Sequence, residues 1–280
     1  LYTLASDAAE HSDRLRVEIH ERRALPEVRQ PKVLSFSVDT AVEEHGPHLP
    51  LSTDTVQSYS VLLKLQAEID GFVAGQPFEY GHLTWGLPFG MSVDLTPELL
   101  TRYVTGYANA VLDWQRPESM YVVDVHGSIV HRKAIIAGME QSHADRWAFR
   151  WLHEPLIEFA SERGDQHAGG VETALVEHAN PALIDGRWFP SRIVDIEAAQ
   201  MTLEKAVELT PDLRQFISYV DETEANGIVG MIRNYETLDG AAMFETMMSV
   251  ARDDVRKLLG NSADSSQHVA GDSPWERDRI

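Results

Sequence analysis

Short apolar runs alternate with stretches of helical period along most of this chain. Val33-Leu34-Ser35-Phe36-Ser37-Val38 and Met120-Tyr121-Val122-Val123-Asp124-Val125 are brief and largely apolar, as strands buried on both faces are. Trp147-Ala148-Phe149-Arg150-Trp151-Leu152 reads as another strand. Helical patterns lie between them. Val56, Tyr59, Leu62 and Leu63 recur at helical spacing within a helix over about 55–67. Thr96-Pro97-Glu98-Leu99 supplies an N-cap and a first-position proline for a helix running to Trp114. A polar helix follows over about 131–141, and a last one over about 241–259 closes at Gly260 as a C-cap. Strands alternating with helices predict an α/β layered domain with a mostly parallel sheet.

Other stretches carry weaker signals. Residues 5–30 are charged and polar with a helical scatter of apolar positions, and 181–184 and 191–194 look like turn and strand pieces. The tail 261–280 is rich in Ser, Asp and Gly without periodicity, which predicts mobility. No internal repeat and no linker divides the chain, so 1–260 is expected to be a single domain.

One polar interruption breaks the layered pattern. Val42-Glu43-Glu44-His45-Gly46-Pro47-His48-Leu49-Pro50-Leu51-Ser52-Thr53-Asp54 sets carboxylates and imidazoles between the first strand and the first helix. In extended chain, Glu43 and His45 leave the backbone on one side, because strand side chains alternate. The two prolines stop regular structure and force a turn, which can bring Asp54 back towards both. These residue types in one place make a candidate metal site. Asp54-Thr55-Val56-Gln57 also has the capping-box form, so Asp54 is a candidate N-cap, a ligand or both.

Composition narrows the chemistry. With 280 residues, 43% apolar and 24% charged, the chain can bury a sizeable core. Its formal net charge of −20 argues against nucleic acid and anionic membrane surfaces as partners. There is no cysteine, hence no disulfide, thiolate nucleophile or Cys-ligated zinc. Any metal is held by His and carboxylate, a set suited to zinc, manganese or iron. No apolar run reaches the roughly 20 residues of a membrane span, and the start lacks signal-peptide features. A cytoplasmic protein acting on a small molecule is the expectation.

The stretch E-x-H-G-P-H-L-P-L-x-T-D resembles the signature of the creatininase (creatinine amidohydrolase) family. The likeness extends to about residues 30–260. It implies a three-layer α/β/α fold with a central, mostly parallel sheet, and it implies that Glu43, His45 and Asp54 are metal ligands, Asp54 bridging. Where the family shows N-G-H-G-G-N, this chain has Asp124-Val125-His126-Gly127-Ser128-Ile129. His126 falls on the family's metal-binding histidine. Ser128 occupies a position that is a ligand Glu in some relatives and is a poor ligand itself. Asp165-Gln166-His167-Ala168-Gly169-Gly170-Val171-Glu172-Thr173-Ala174 is similar to D-x-H-A-G-x-x-E-T-S. There His167 matches the proton donor and acceptor, and Glu172 a carboxylate at the metal centre able to replace the missing ligand. The stretch 80–90, with His82 and Trp85, resembles the family's substrate-side loop. Gly227-Ile228-Val229-Gly230 is similar to its closing segment.

The chemistry implied is hydrolysis. Two divalent ions, zinc or manganese with iron as a further option, would polarise a carbonyl and lower the pKa of a shared water from about 16 towards about 7. The hydroxide would cut the C–N bond of a small cyclic or linear amide, with His167 protonating the leaving amine. An alternative is C–C cleavage of a cyclic β-dicarbonyl such as a dehydroinosose, for which the altered second motif speaks. A second is a non-catalytic metal-binding scaffold. The resemblance also implies a homohexamer.

Overall fold

The computed structural model describes residues 30–39, 42–83, 86–185 and 201–260. The expected pieces over 5–29, 191–194 and 261–280 lie outside them, as does Trp85. Four strands form one parallel sheet: β1 (Val33–Ser37), β2 (Phe72–Ala74), β3 (Ser119–Asp124) and β4 (Trp147–Trp151), in the order β2-β1-β3-β4. Val33 pairs with Ser119 and Ser37 with Val123, so β1 and β3 run side by side to matching ends.

Strand side chains alternate between faces, and here both faces are covered. Val33, Tyr121 and Val123 pack with α1 (Thr53–Glu68), α5 (Gly170–Ala179) and α8 (Gly240–Leu259). Leu34, Phe36, Met120 and Val122 pack on the other side with α2 (Pro97–Trp114) and α3 (Ile129–Glu140). The three-layer α/β/α arrangement follows, and it explains the near-continuous apolar strands. The shorter helices α4 (Ile157–Arg163), α6 (Leu203–Leu209) and α7 (Leu213–Thr223) lie between these elements in the chain. No helix among the described residues is long and apolar enough to cross a membrane.

Local chemistry sets the element ends. Thr96 Oγ1 accepts from Leu99 N–H at 3.3 Å at the start of α2. Within α3, a Cβ on Gly138 would stand 2.7 Å from Val104 and 2.8 Å from the Thr101 carbonyl, so only glycine lets α2 approach this closely. One expectation is corrected. Helix α1 begins at Thr53, whose N–H donates to the Pro50 carbonyl; Asp54 therefore sits inside the first turn rather than at the N-cap, and its carboxylate is turned elsewhere. Gly260 is the C-cap of α8 as expected, at φ −71° and so without a left-handed turn, and its carbonyl accepts from the Arg146 guanidinium at 2.6 Å.

The sheet is tied to α8 by a buried ion pair. Arg150 donates to Asp254 from Nε at 2.8 Å and Nη2 at 3.1 Å, and Tyr121 Oη donates to the same carboxylate at 3.3 Å. Removing one partner strands the other in a poorly solvated place. Asp254→Ala is expected to lower unfolding stability by about 3 kcal/mol, at the low end of the range for broken buried pairs because Glu154 still faces Arg150. A denaturant midpoint within error of wild type would refute this role.

Candidate metal centre

In a parallel sheet ordered β2-β1-β3-β4, the chain leaves β1 for one side and later returns to the other, so the topological switch lies between β1 and β3. Ligands of open α/β sheets bind beyond the strand C-termini at such a point. The loops carrying Glu43 to Asp54 and His126 both leave the sheet there.

The β3–α3 loop is held by two buried carboxylates. Asp39 Oδ1 accepts from Val125 N–H at 2.9 Å, and Asp124 Oδ1 accepts from His126 N–H at 2.9 Å. Gly127 N–H donates to Asp124 Oδ2 at 3.4 Å. Ser58 and Ser37 donate to Asp39 in turn. Burial, then the neighbouring Asp54, push the Asp39 carboxyl up to about 7. Burial, then Asp39, push Asp124 up to about 8. Ser128 caps α3 by accepting from His131 N–H.

Three histidines repeat one arrangement. His45 Nδ1–H donates to the Glu43 carbonyl at 3.2 Å, leaving Nε2 3.2 Å from Asp54 Oδ1 and 3.9 Å from Glu172 Oε2. His126 Nε2–H donates to the His82 carbonyl at 3.1 Å, leaving Nδ1 2.8 Å from Glu43 Oε2 and 3.6 Å from Asp54 Oδ2. His167 Nε2–H donates to the Glu44 carbonyl at 2.7 Å, leaving Nδ1 3.8 Å from Glu43 Oε1. A carbonyl only accepts, so each contact names the nitrogen that keeps its hydrogen. Metal-binding histidines are oriented in this way.

The electrostatics fit cations as well. Burial alone would lower His45, but Asp54, Glu172 and Glu43 raise it to about 10. Burial likewise opposes a charge on His126, and Glu43 and Asp54 overcome it. Burial raises Glu43, although His126 pulls it down. For Asp54 burial is outweighed by His45 and His126, which hold it well below the usual carboxylate range. Carboxylates that retain protons on neighbouring imidazoles so firmly supply the negative field that divalent ions also require.

Among the described residues, two groups have ligand atoms within 4.8 Å of one another: Glu43, Asp54 and His126, and His45, His167 and Glu172. Glu43 and His45 thus feed different groups. Asp54 joins them, with Oδ1 towards His45 and Oδ2 towards His126. Glu172, in the first turn of α5, also accepts from Ala168 N–H at 2.6 Å.

His167 is held from behind by the 227–230 segment. Its backbone N–H donates to the Val229 carbonyl at 2.9 Å, and Val229 N–H donates back at 3.0 Å. Gly227 has φ +83°, and a Cβ there would collide with the Glu44 carboxylate. That glycine gives Glu44 its room beside His167, whose Nε2 lies 3.4 Å from Glu44 Oε1. The burial of His167 and its neighbour His45 lower its affinity for protons, and Glu44 and Glu43 more than reverse this.

His82, expected on the substrate side, is held within the protein on two sides. Its ring lies against Asp94 Oδ1 and the Leu95 carbonyl, both at 3.1 Å, while its own carbonyl orients His126. Sequence reasoning passed over Glu44, Asp39, His131 and His48, the last 2.9 Å from Thr173 Oγ1. Glu44 was legible as the variable position of E-x-H and His48 as the second histidine of the same motif; Asp39 and His131 carry no local signal.

Comparison with known proteins agrees with this fold. A family model described as creatinine amidohydrolase matches residues 38–253. A mycofactocin precursor peptide peptidase of Mycobacterium ulcerans (strain Agy99) is 24% identical over 216 residues, 74% of this chain and 78% of its own. One from Mycobacterium tuberculosis (strain ATCC 25618 / H37Rv) is 26% identical over 151 residues, 51% of this chain and 57% of its own. Among solved structures, a creatinine amidohydrolase superposes with a TM-score of 0.62 at 14% identity, over 82% of this chain and 92% of that one. A creatininase described as the Mn form does so with 0.59 at 14% identity, over 81% and 91%.

Proposed function

The chain belongs to the creatininase family, and from that footing we propose that it is a hydrolase that cuts a C–N bond of a small amide or short peptide at a pair of divalent ions. The observation that carries this is Asp54, whose two oxygens face the nitrogens of two different ligand groups. Glu43, Asp54 and His126 would hold one ion, and His45, Asp54 and Glu172 the other. Bound there, zinc, manganese or iron supplies Lewis acidity towards the carbonyl and a water acidic enough to act as nucleophile near neutral pH.

The rest of the work falls to the protein. Glu43, His45 and Asp54 are all but fully buried, so charges in the site are poorly screened and interact strongly. An amine is a poor leaving group until it is protonated. His167, fixed through Nε2 by the Glu44 carbonyl, presents Nδ1 to the site and is the group suited to carry that proton.

Peptide hydrolysis earns a place beside small amides because the curated relatives are named as peptidases. C–C cleavage of a cyclic β-dicarbonyl is the second reading, favoured by the altered second motif, in which Asp124 stands where the family has asparagine and anchors the His126 loop through its amides. The test is elemental analysis of the protein purified without chelator, followed by a panel of creatinine-like lactams, short peptides and cyclic β-dicarbonyls. About two ions per chain with release of an amine is the expected result. A chain that takes up no zinc, manganese or iron would sink the proposal.

A further inference from the structure

His131 is fully buried, carries no role in the chemistry above, and bridges two backbone segments. Its Nε2–H donates to the Val38 carbonyl just past β1 at 2.7 Å, and its Nδ1 accepts from His82 N–H at 3.0 Å. A ring that donates to a carbonyl at one nitrogen and accepts from an amide at the other has one usable tautomer. On the other side of the same segment, Asp94 Oδ1 accepts from Leu83 N–H at 2.7 Å and lies 3.1 Å from His82 Nδ1. The peptides around His82 are therefore gripped from two sides, although residues 82 and 83 belong to no strand or helix that would fix them. The His82 carbonyl is what keeps the hydrogen on His126 Nε2 and leaves Nδ1 for Glu43 and Asp54.

We infer that His131 is a positioning residue for His126, acting through the backbone of His82, and this rests on His126 being a metal ligand as proposed above. A hydrophobic side chain could fill the volume of His131. It could not join an acceptor facing His82 to a donor facing Val38. Partners bonded directly to a metal ligand commonly set affinity by about 10–100-fold; His131 stands one step further out, which places its effect at the low end of that range.

The test is zinc affinity of the full chain, by competition with a chromophoric chelator, for wild type, His131→Leu and His131→Asn, with thermal unfolding of each. His131→Leu is expected to bind zinc about 10-fold more weakly. His131→Asn, whose side-chain oxygen can still accept from His82 N–H, is expected to recover most of that loss. Wild-type affinity in a folded His131→Leu protein would overturn the inference, as would an Asn variant as weak as the Leu variant. If His131→Leu does not fold, nitrogen-detected NMR of metal-free wild type at neutral pH decides: a hydrogen on Nε2 with a bare Nδ1 is expected, and the opposite tautomer overturns it. A wild type that binds no zinc brings down the metal proposal and this inference together, and is recognised because wild type and variants then fail alike.

Discussion

Asp54→Ala is expected to empty both ion positions at once. In this variant the metal content should fall from about two ions per chain to fewer than one, and turnover should drop by at least about 10³-fold, since the ions contribute several kcal/mol of charge stabilisation and each 1.36 kcal/mol is tenfold. The size of the effect comes from geometry. Loss of a carboxylate that serves one ion would leave the second in place, whereas Asp54 turns Oδ1 to His45 and Oδ2 to His126. Asp253→Ala, which removes an exposed carboxylate on α8, is the matched control and should keep both ions. Two ions retained in Asp54→Ala would refute the bridge.

His167→Ala should separate chemistry from metal binding. Turnover is expected to fall by about 10²–10⁴-fold, the usual contribution of a positioned proton carrier, with metal content unchanged. The opposing possibility is concrete, because His167 belongs to the same group of ligand atoms as His45 and Glu172. If one ion leaves with the imidazole, His167 is a ligand and the proton must be carried elsewhere. Measuring metal and turnover on the same preparation makes the two outcomes distinct. Glu44 sharpens the comparison: its carbonyl holds the ring through Nε2, a contact that substituting the Glu44 side chain leaves available.

The layers of this fold were legible because β1, β3 and β4 are short and largely apolar and helical periods lie between them, whereas β2, only three residues long, gave no strand signal. Thr96-Pro97 marks the first residue of α2, and Val33 to Ser37 and Ser119 to Asp124 read as buried strands within a residue of their ends. The candidate site was legible in part, as residue types at set spacings near strand ends. Asp54 shows the limit. Its capping-box pattern pointed to a helix start at that residue, but a hydrogen bond from Thr53 to Pro50 moved the start and released the carboxylate. The role of His82 was hidden for another reason: its contribution to the site is a carbonyl, which every residue possesses.

By itself, the sequence determined that this is a layered α/β protein with a His and carboxylate cluster in place of thiols, because periodicity and composition are local properties. The tertiary structure decided which atoms meet. That Glu43 faces His126 across 83 positions, that Val229 backs His167, and that His131 grips His82 depend on the parallel crossovers which bring distant loops to the switch between β1 and β3. Those contacts are made by hydrogen bonds and ion pairs with definite direction, and no spacing along the chain encodes a direction in space.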